Sequence, residues 1–280
     1  MFKKLLKYDF KAIWKLWIIC AASALGISII GGISIKLLTD QSLSLPVLLQ
    51  LVLGFWFFIS VITLSAFLIA TQILIYVRFY KHLFSDEGYL TFTLPVKRAT
   101  LYISKTVNAV IWSILSGIVF IVAVLIMLFF ATSSVYGNFF GVFAEIGSIF
   151  RDAHLGEILG VAIVIVDGIL FALAATWFGV SLTQFCITVG ATIARKHKIL
   201  AAIGIYYAVN TVVGLITNIA SLGLSLTVAP LLMSLSERNP VLFSLIAFAI
   251  PIVATAAFAG IALAFDAMTL KRLKYKLNMA

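Results

Sequence analysis

Residues 106–130, TVNAVIWSILSGIVFIVAVLIMLFF, contain no charged side chain. At 1.5 Å per helical residue this run reaches about 37 Å, enough to cross a hydrocarbon core of about 30 Å. Its apolar residues are consecutive rather than alternating, which selects a membrane helix over a barrel strand. Five more long, predominantly apolar runs lie near 17–37, 47–76, 158–184, 199–219 and 244–267. Of the 280 residues 63% are apolar and 11% charged, and the mean hydropathy is +1.19. No soluble domain of this size hides that balance in one core. The expected fold is an all-α integral membrane protein with six transmembrane helices, forming a single transmembrane domain over 17–280.

A net charge of +10 fits either a nucleic-acid surface or the flanks of membrane spans, and position decides between them. Basic residues gather before the first run (Lys3, Lys4, Lys7, Lys11, Lys15) and between the second and third (Arg78, Lys81, Lys97, Arg98, Lys105). They gather again between the fourth and fifth (Arg195, Lys196, Lys198) and after the sixth (Lys271, Arg272, Lys274, Lys276). Only Lys36, Arg151 and Arg238 of the 20 lysines and arginines fall in the alternate loops. By the positive-inside rule both termini are expected to face the cytoplasm; the expected location is the cell membrane, and no nucleic acid is expected as a partner.

The first sixteen residues are amphipathic. At 100° per residue Phe2, Leu5, Leu6, Phe10, Ile13 and Leu16 share one side, and Lys4, Lys7, Lys11 and Lys15 line the other. The pattern predicts an interfacial helix over 1–16, lying on the inner leaflet with its lysines toward anionic headgroups; a cytoplasmic extension of the first span with snorkelling lysines is the alternative. Lysines threaded through the apolar residues, with no small-residue cleavage site, argue against a removable signal peptide, so the mature chain is expected to begin at Met1.

Two runs exceed one crossing. Residues 47–76 would be about 45 Å long as a helix and project beyond the bilayer. After Lys198 the chain is uncharged as far as Ser236, and NIASLGLSLTVAPLLMSL (218–235) carries Gly223 and Pro230. This fits a re-entrant hairpin before the last span, provided protein or water covers its backbone. A seventh span would place the basic tail outside.

Several chemistries are absent from the sequence. There is no G-x-x-x-x-G-K-[ST] phosphate loop, no H-E-x-x-H, and no G-x-S-x-G elbow. His82, His154 and His197 belong to separate loops, and Cys20 and Cys186 to separate apolar runs, so neither a metal cage nor a disulfide framework is expected. Among intramembrane polar groups, Asp167 in VIVDGIL is the best placed for an ion-coupled role, with Asp266 nearer the end of the last span. Gln72 and Gln184 fit either a polar path or hydrogen bonds between helices, and Asp167 fits a packing contact equally well.

The longest polar stretch on the basic side is HLFSDEGYLTFTLPVKRATLYISK, residues 82–105, within a cytoplasmic loop over 78–105. Pro95 lacks an amide hydrogen and disfavours helix at Leu94, so a short helix near 84–92 should stop there and the next should restart toward Lys105. Asp86 and Glu87 then stand beside the apolar Tyr89, Leu90 and Phe92 on a segment held between two long helices.

SDEGYLTFTLPVKRATLYISK resembles the first cytoplasmic loop of ABC-2 type transporter permeases, through Glu87, Gly88, Leu90, Leu94, Pro95, Val96, Arg98, Leu101 and Lys105. The resemblance implies that residues 84–95 form the coupling helix that docks on a nucleotide-binding subunit. It assigns Asp86, Glu87, Gly88, Tyr89, Leu90, Phe92, Leu94, Pro95 and Arg98 to that contact. It further implies a separate ABC ATPase that binds ATP and Mg, a second permease copy or homologous permease, and no cofactor or enzymatic activity in this chain. The expected function is ATP-driven export of an amphipathic, peptide, drug-like or lipid-like substrate. A scaffold or sensor subunit tethering a cytosolic partner, or an ion-coupled carrier using Asp167, remain the alternatives.

Overall fold

The computed structural model describes residues 2–40, 43–85, 88, 93, 95–135, 141, 147–148, 151, 155–194, 197–238 and 240–275. Its long elements are all helices: α1 Phe2–Thr39, α2 Val47–Phe84, α3 Arg98–Val135, α4 Leu155–Ile193, α5 Lys198–Arg238 and α6 Pro240–Tyr275. No strand occurs among the described residues. Each contains a stretch long and apolar enough to cross a membrane, so the chain is an all-α, multi-pass membrane protein. The helices run from 36 to 41 residues, or about 54 to 61 Å, well beyond one bilayer core.

Inside hydrocarbon every backbone polar group needs a partner within the protein, which favours uninterrupted helices. The hydroxyls follow the same rule: Ser28 donates to Leu25 O, Thr63 to Ile59 O and Thr188 to Gln184 O at 2.7–2.9 Å. Most of the abundant serine and threonine is thus satisfied by its own helix. Large apolar side chains remain exposed on the single chain, among them Leu48 at 78% and Leu226 at 75%, as a lipid-facing surface requires.

Two compact units make up the chain, residues 1–77 with 107–158 and residues 78–106 with 159–280. In the first unit Asp9, Ile13, Trp17, Ala21, Ala24, Ser28 and Gly31 form one buried line along α1, at the three- and four-residue spacing of a helix face. Phe10 stacks on Trp112 with centroids 4.5 Å apart, and Trp17 Nε1 donates to Ser116 Oγ at 2.9 Å. Farther along, a Cβ on Gly31 would overlap Ser60 Oγ and stand 2.6 Å from Met127 Cε, and one on Gly32 would stand 2.7 Å from Phe130. Residue numbers therefore rise together on α1 and α3, which run parallel, with α2 antiparallel to both.

That buried line corrects one expectation. No separate interfacial helix over 1–16 exists: Phe2–Thr39 is one helix without a break at residue 16. Nothing between Phe2 and Leu25 is Gly or Pro, and the face begun by Asp9 and Ile13 continues into the span. Lys4, Lys7, Lys11 and Lys15 are exposed as expected, but so are Phe2 and Leu16 of the predicted apolar face.

In the second unit a phenylalanine ladder joins α4 to α6. Phe171 and Phe178 meet Phe258 at 5.4 and 5.3 Å, and Phe178 and Phe185 meet Phe265 at 6.2 and 5.2 Å. The seven-residue spacing on both helices is that of a coiled-coil seam, and its register makes them parallel. A Cβ on Gly190 would lie 2.5 Å from the Ala202 backbone, so α4 and α5 approach closely at that end.

The re-entrant hairpin over 218–235 is also corrected: α5 passes through it unbroken with Pro230 inside the helix. Residues 215–227 are exposed on the single chain, and a hairpin without cover would leave backbone groups unpaired. Thr217, Ser221, Ser225 and Thr227 instead donate back onto helix carbonyls at 2.7–3.0 Å. Pro240 opens α6, where its fixed φ suits a first helical position, and no seventh span forms among the described residues.

Candidate functional site

Within the predicted coupling segment, Asp86, Glu87, Tyr89, Leu90, Phe92 and Leu94 lie outside the described residues. Gly88 is buried; its N–H donates to Ser85 O at 2.7 Å, and a Cβ there would meet Leu83 O at 2.8 Å. Glycine is therefore required at 88 by close backbone approach just after α2 ends. Pro95 is exposed, and α3 starts at Arg98, within the stretch before Lys105 where the sequence predicts a restart and ahead of the span expected from 106.

Arg98, at the start of α3, turns onto α6. Its Nη1 donates to Leu273 O at 2.9 Å and to Lys274 O at 3.3 Å. These are among the last carbonyls of α6, which have no partner within the helix and carry the negative end of its dipole. One turn deeper, Tyr102 OH donates to Asp266 Oδ1 at 2.7 Å, and Trp177 Nε1 donates to Asp266 Oδ2 at 3.0 Å. A single carboxyl group on α6 thus accepts from both α3 and α4. Tyr102 is 1% exposed, and Leu101, Leu273 and Thr269 are buried around the junction.

The next turn of α3 continues the polar contact. Thr106 Oγ1 donates to Gln184 Oε1 at 2.8 Å and lies 3.2 Å from Tyr102 O. Arg98, Tyr102 and Thr106 recur every four residues and so share one face of α3. Opposite them Trp177, Ser181, Gln184 and Thr188 share one face of α4. Gln184 Nε2 and Ser181 Oγ are buried with no hydrogen-bond partner, an unsatisfied pair that costs about 1–3 kcal/mol per group.

The intramembrane groups singled out by sequence, Gln72, Asp167 and Gln184, each have a place within their own unit. Gln72 Nε2 donates to Ser113 Oγ at 3.2 Å in the first unit, which is a hydrogen bond between helices. In the second unit Asp167 and Gln184 are 17 positions apart on α4, about 25 Å along the axis. Asp167 is half-buried, whereas Asp266 has partners on two other helices. Tyr102 and Trp177 carried no local signal; they became visible only through the carboxyl group they share. Among the described residues no three His, Cys, Asp or Glu side chains gather as a metal site, and Cys20 and Cys186 are both free thiols.

Comparison with models of known families, with curated proteins and with solved structures returns no match for this chain.

Proposed function

We propose that this chain is the transmembrane permease subunit of an ABC-2 type transporter, driven by an ATPase on a separate polypeptide that docks on residues 84–95. The observation that carries this reading is the pattern SDEGYLTFTLPVKR (85–98), which joins two helices of 38 residues each. Helices of that length extend past the bilayer, and they would carry the motion of a partner that closes on ATP against the segment between them. Asp86 and Glu87 would pair with basic groups of the ATPase, and Tyr89, Leu90 and Phe92 would fill its groove as apolar anchors. The orientation follows the basic flanks, with both termini and this segment in the cytoplasm. The cargo class is amphipathic or lipid-like, exported between two permease copies.

Purification from native membranes tests the reading. An ATPase should accompany the chain, and Glu87→Arg should lower its hydrolysis rate; Pro95→Leu should abolish coupling while the chain still inserts. Transport that ignores ATP and is lost in Asp167→Asn would replace this function with an ion-coupled carrier. A bound cytosolic partner without hydrolysis would identify a scaffold.

A further inference from the structure

The resemblance assigns Arg98 to the partner surface, yet its guanidinium engages the end of α6 within the same chain. Arg98 and Tyr102 are four residues apart on α3, while Asp266 and Leu273 are seven apart on α6, so each pair shares one helix face. Numbers fall on α6 as they rise on α3. The first turns of α3 therefore lie antiparallel against the last turns of α6, joined at two levels. The deeper level also holds α4 through Trp177. An exposed arginine contact of this kind adds little stability; what it fixes is position, because α3 begins where the segment 85–97 ends.

We propose that Arg98 and Tyr102 are positioning residues that clamp the exit of the docking segment to α6 and, through Asp266, to α4. A load applied at 86–95 then enters four helices: α2 and α3, which flank the segment, and α6 and α4, which are fastened to the base of α3. This inference rests on the reading of 84–95 as an ATPase dock. Without the clamp the segment would still bind its partner, but the motion would be taken up by hinging at the start of α3. The clamp also accounts for the pairing of Asp266, whose carboxyl group accepts from α3 and α4 at once.

The full chain in lipid nanodiscs supplies the test, using amide hydrogen exchange over 267–275 together with the hydrolysis rate of the co-purified ATPase. Tyr102→Phe should quicken exchange at the end of α6 by roughly five-fold, the factor expected for one lost hydrogen bond of ordinary strength, and Arg98→Gln by roughly two- to five-fold. Arg98→Lys should partly restore protection. The ATPase should bind both variants as it binds the wild type, while its stimulation by the permease falls. Unchanged exchange in both variants, or loss of ATPase binding in Arg98→Gln without faster exchange, overturns the clamp and returns Arg98 to the partner surface. Faster exchange with intact stimulation overturns the load path. If no ATPase accompanies the wild-type chain, the docking reading and the load path fail together, and the exchange measurement still decides the clamp.

Discussion

Tyr102 and Asp266, 164 positions apart in sequence, meet through a 2.7 Å hydrogen bond from the phenol to the carboxyl group. With Trp177 on the other oxygen, one acid joins three helices of the second unit. Hydrogen bonds between membrane helices contribute about 0.6–2 kcal/mol, because the separated helices find other partners.

A double-mutant cycle measures this pair. Tyr102→Phe and Asp266→Leu should each lower thermal stability in detergent, and the double variant should lose less than the sum, by about 1 kcal/mol. Strict additivity would show that the two groups do not act on each other.

Gln184 and Thr106 should respond asymmetrically. Thr106→Val leaves a fully buried amide with no partner and should cost about 1–3 kcal/mol. Gln184→Leu removes the unsatisfied Nε2 along with its hydrogen bond, and Thr106 retains Tyr102 O at 3.2 Å. That variant should be near neutral or more stable in a thermal melt. Equal destabilisation by both would argue that Gln184 Nε2 has a partner.

Glycine contacts on α1 discriminate packed from lipid-facing positions. A side chain at Gly31 collides with Ser60 and Met127, whereas one at Gly26 meets nothing within 4 Å. Gly31→Val should therefore cost about 1–3 kcal/mol by overpacking, and Gly26→Ala should gain up to about 1 kcal/mol from helix propensity. Monodispersity and melting temperature in the same detergent report both.

Membrane sidedness is checked at the two ends of α1. In a variant with Cys20 and Cys186 replaced by alanine, Lys7→Cys should react with an impermeant maleimide only from the cytoplasmic face. Lys36→Cys should react only from the other. Labelling of both from one side would contradict a spanning α1.

Much of the architecture was legible in the chain itself. Six long apolar runs specify six membrane helices because hydrocarbon offers no water to backbone groups, and the helix is the local structure that pairs them all. The basic flanks likewise suggest an orientation before any contact is known. What the pattern could not fix was where one helix stops. Residues 1–16 look like a separate amphipathic object, yet the line from Asp9 through Trp17 to Ala24 is buried against the same unit, and packing carries the helix through. Residues 218–235 look like a hairpin because Gly223 and Pro230 are turn residues, yet the helix runs through them unbroken, the form that leaves fewest backbone groups unpaired.

The polar site shows the same division. Composition drew attention to Asp167 because an acid in the middle of an apolar run is costly. Tertiary structure instead gave partners to Asp266, with Trp177 89 positions away and Tyr102 farther still. No local period encodes such a meeting: hydrophobicity decides that a segment enters the bilayer, but which polar groups pair inside it depends on helix register and rotation, and these are set by side-chain packing such as the Phe171, Phe178 and Phe185 seam against α6.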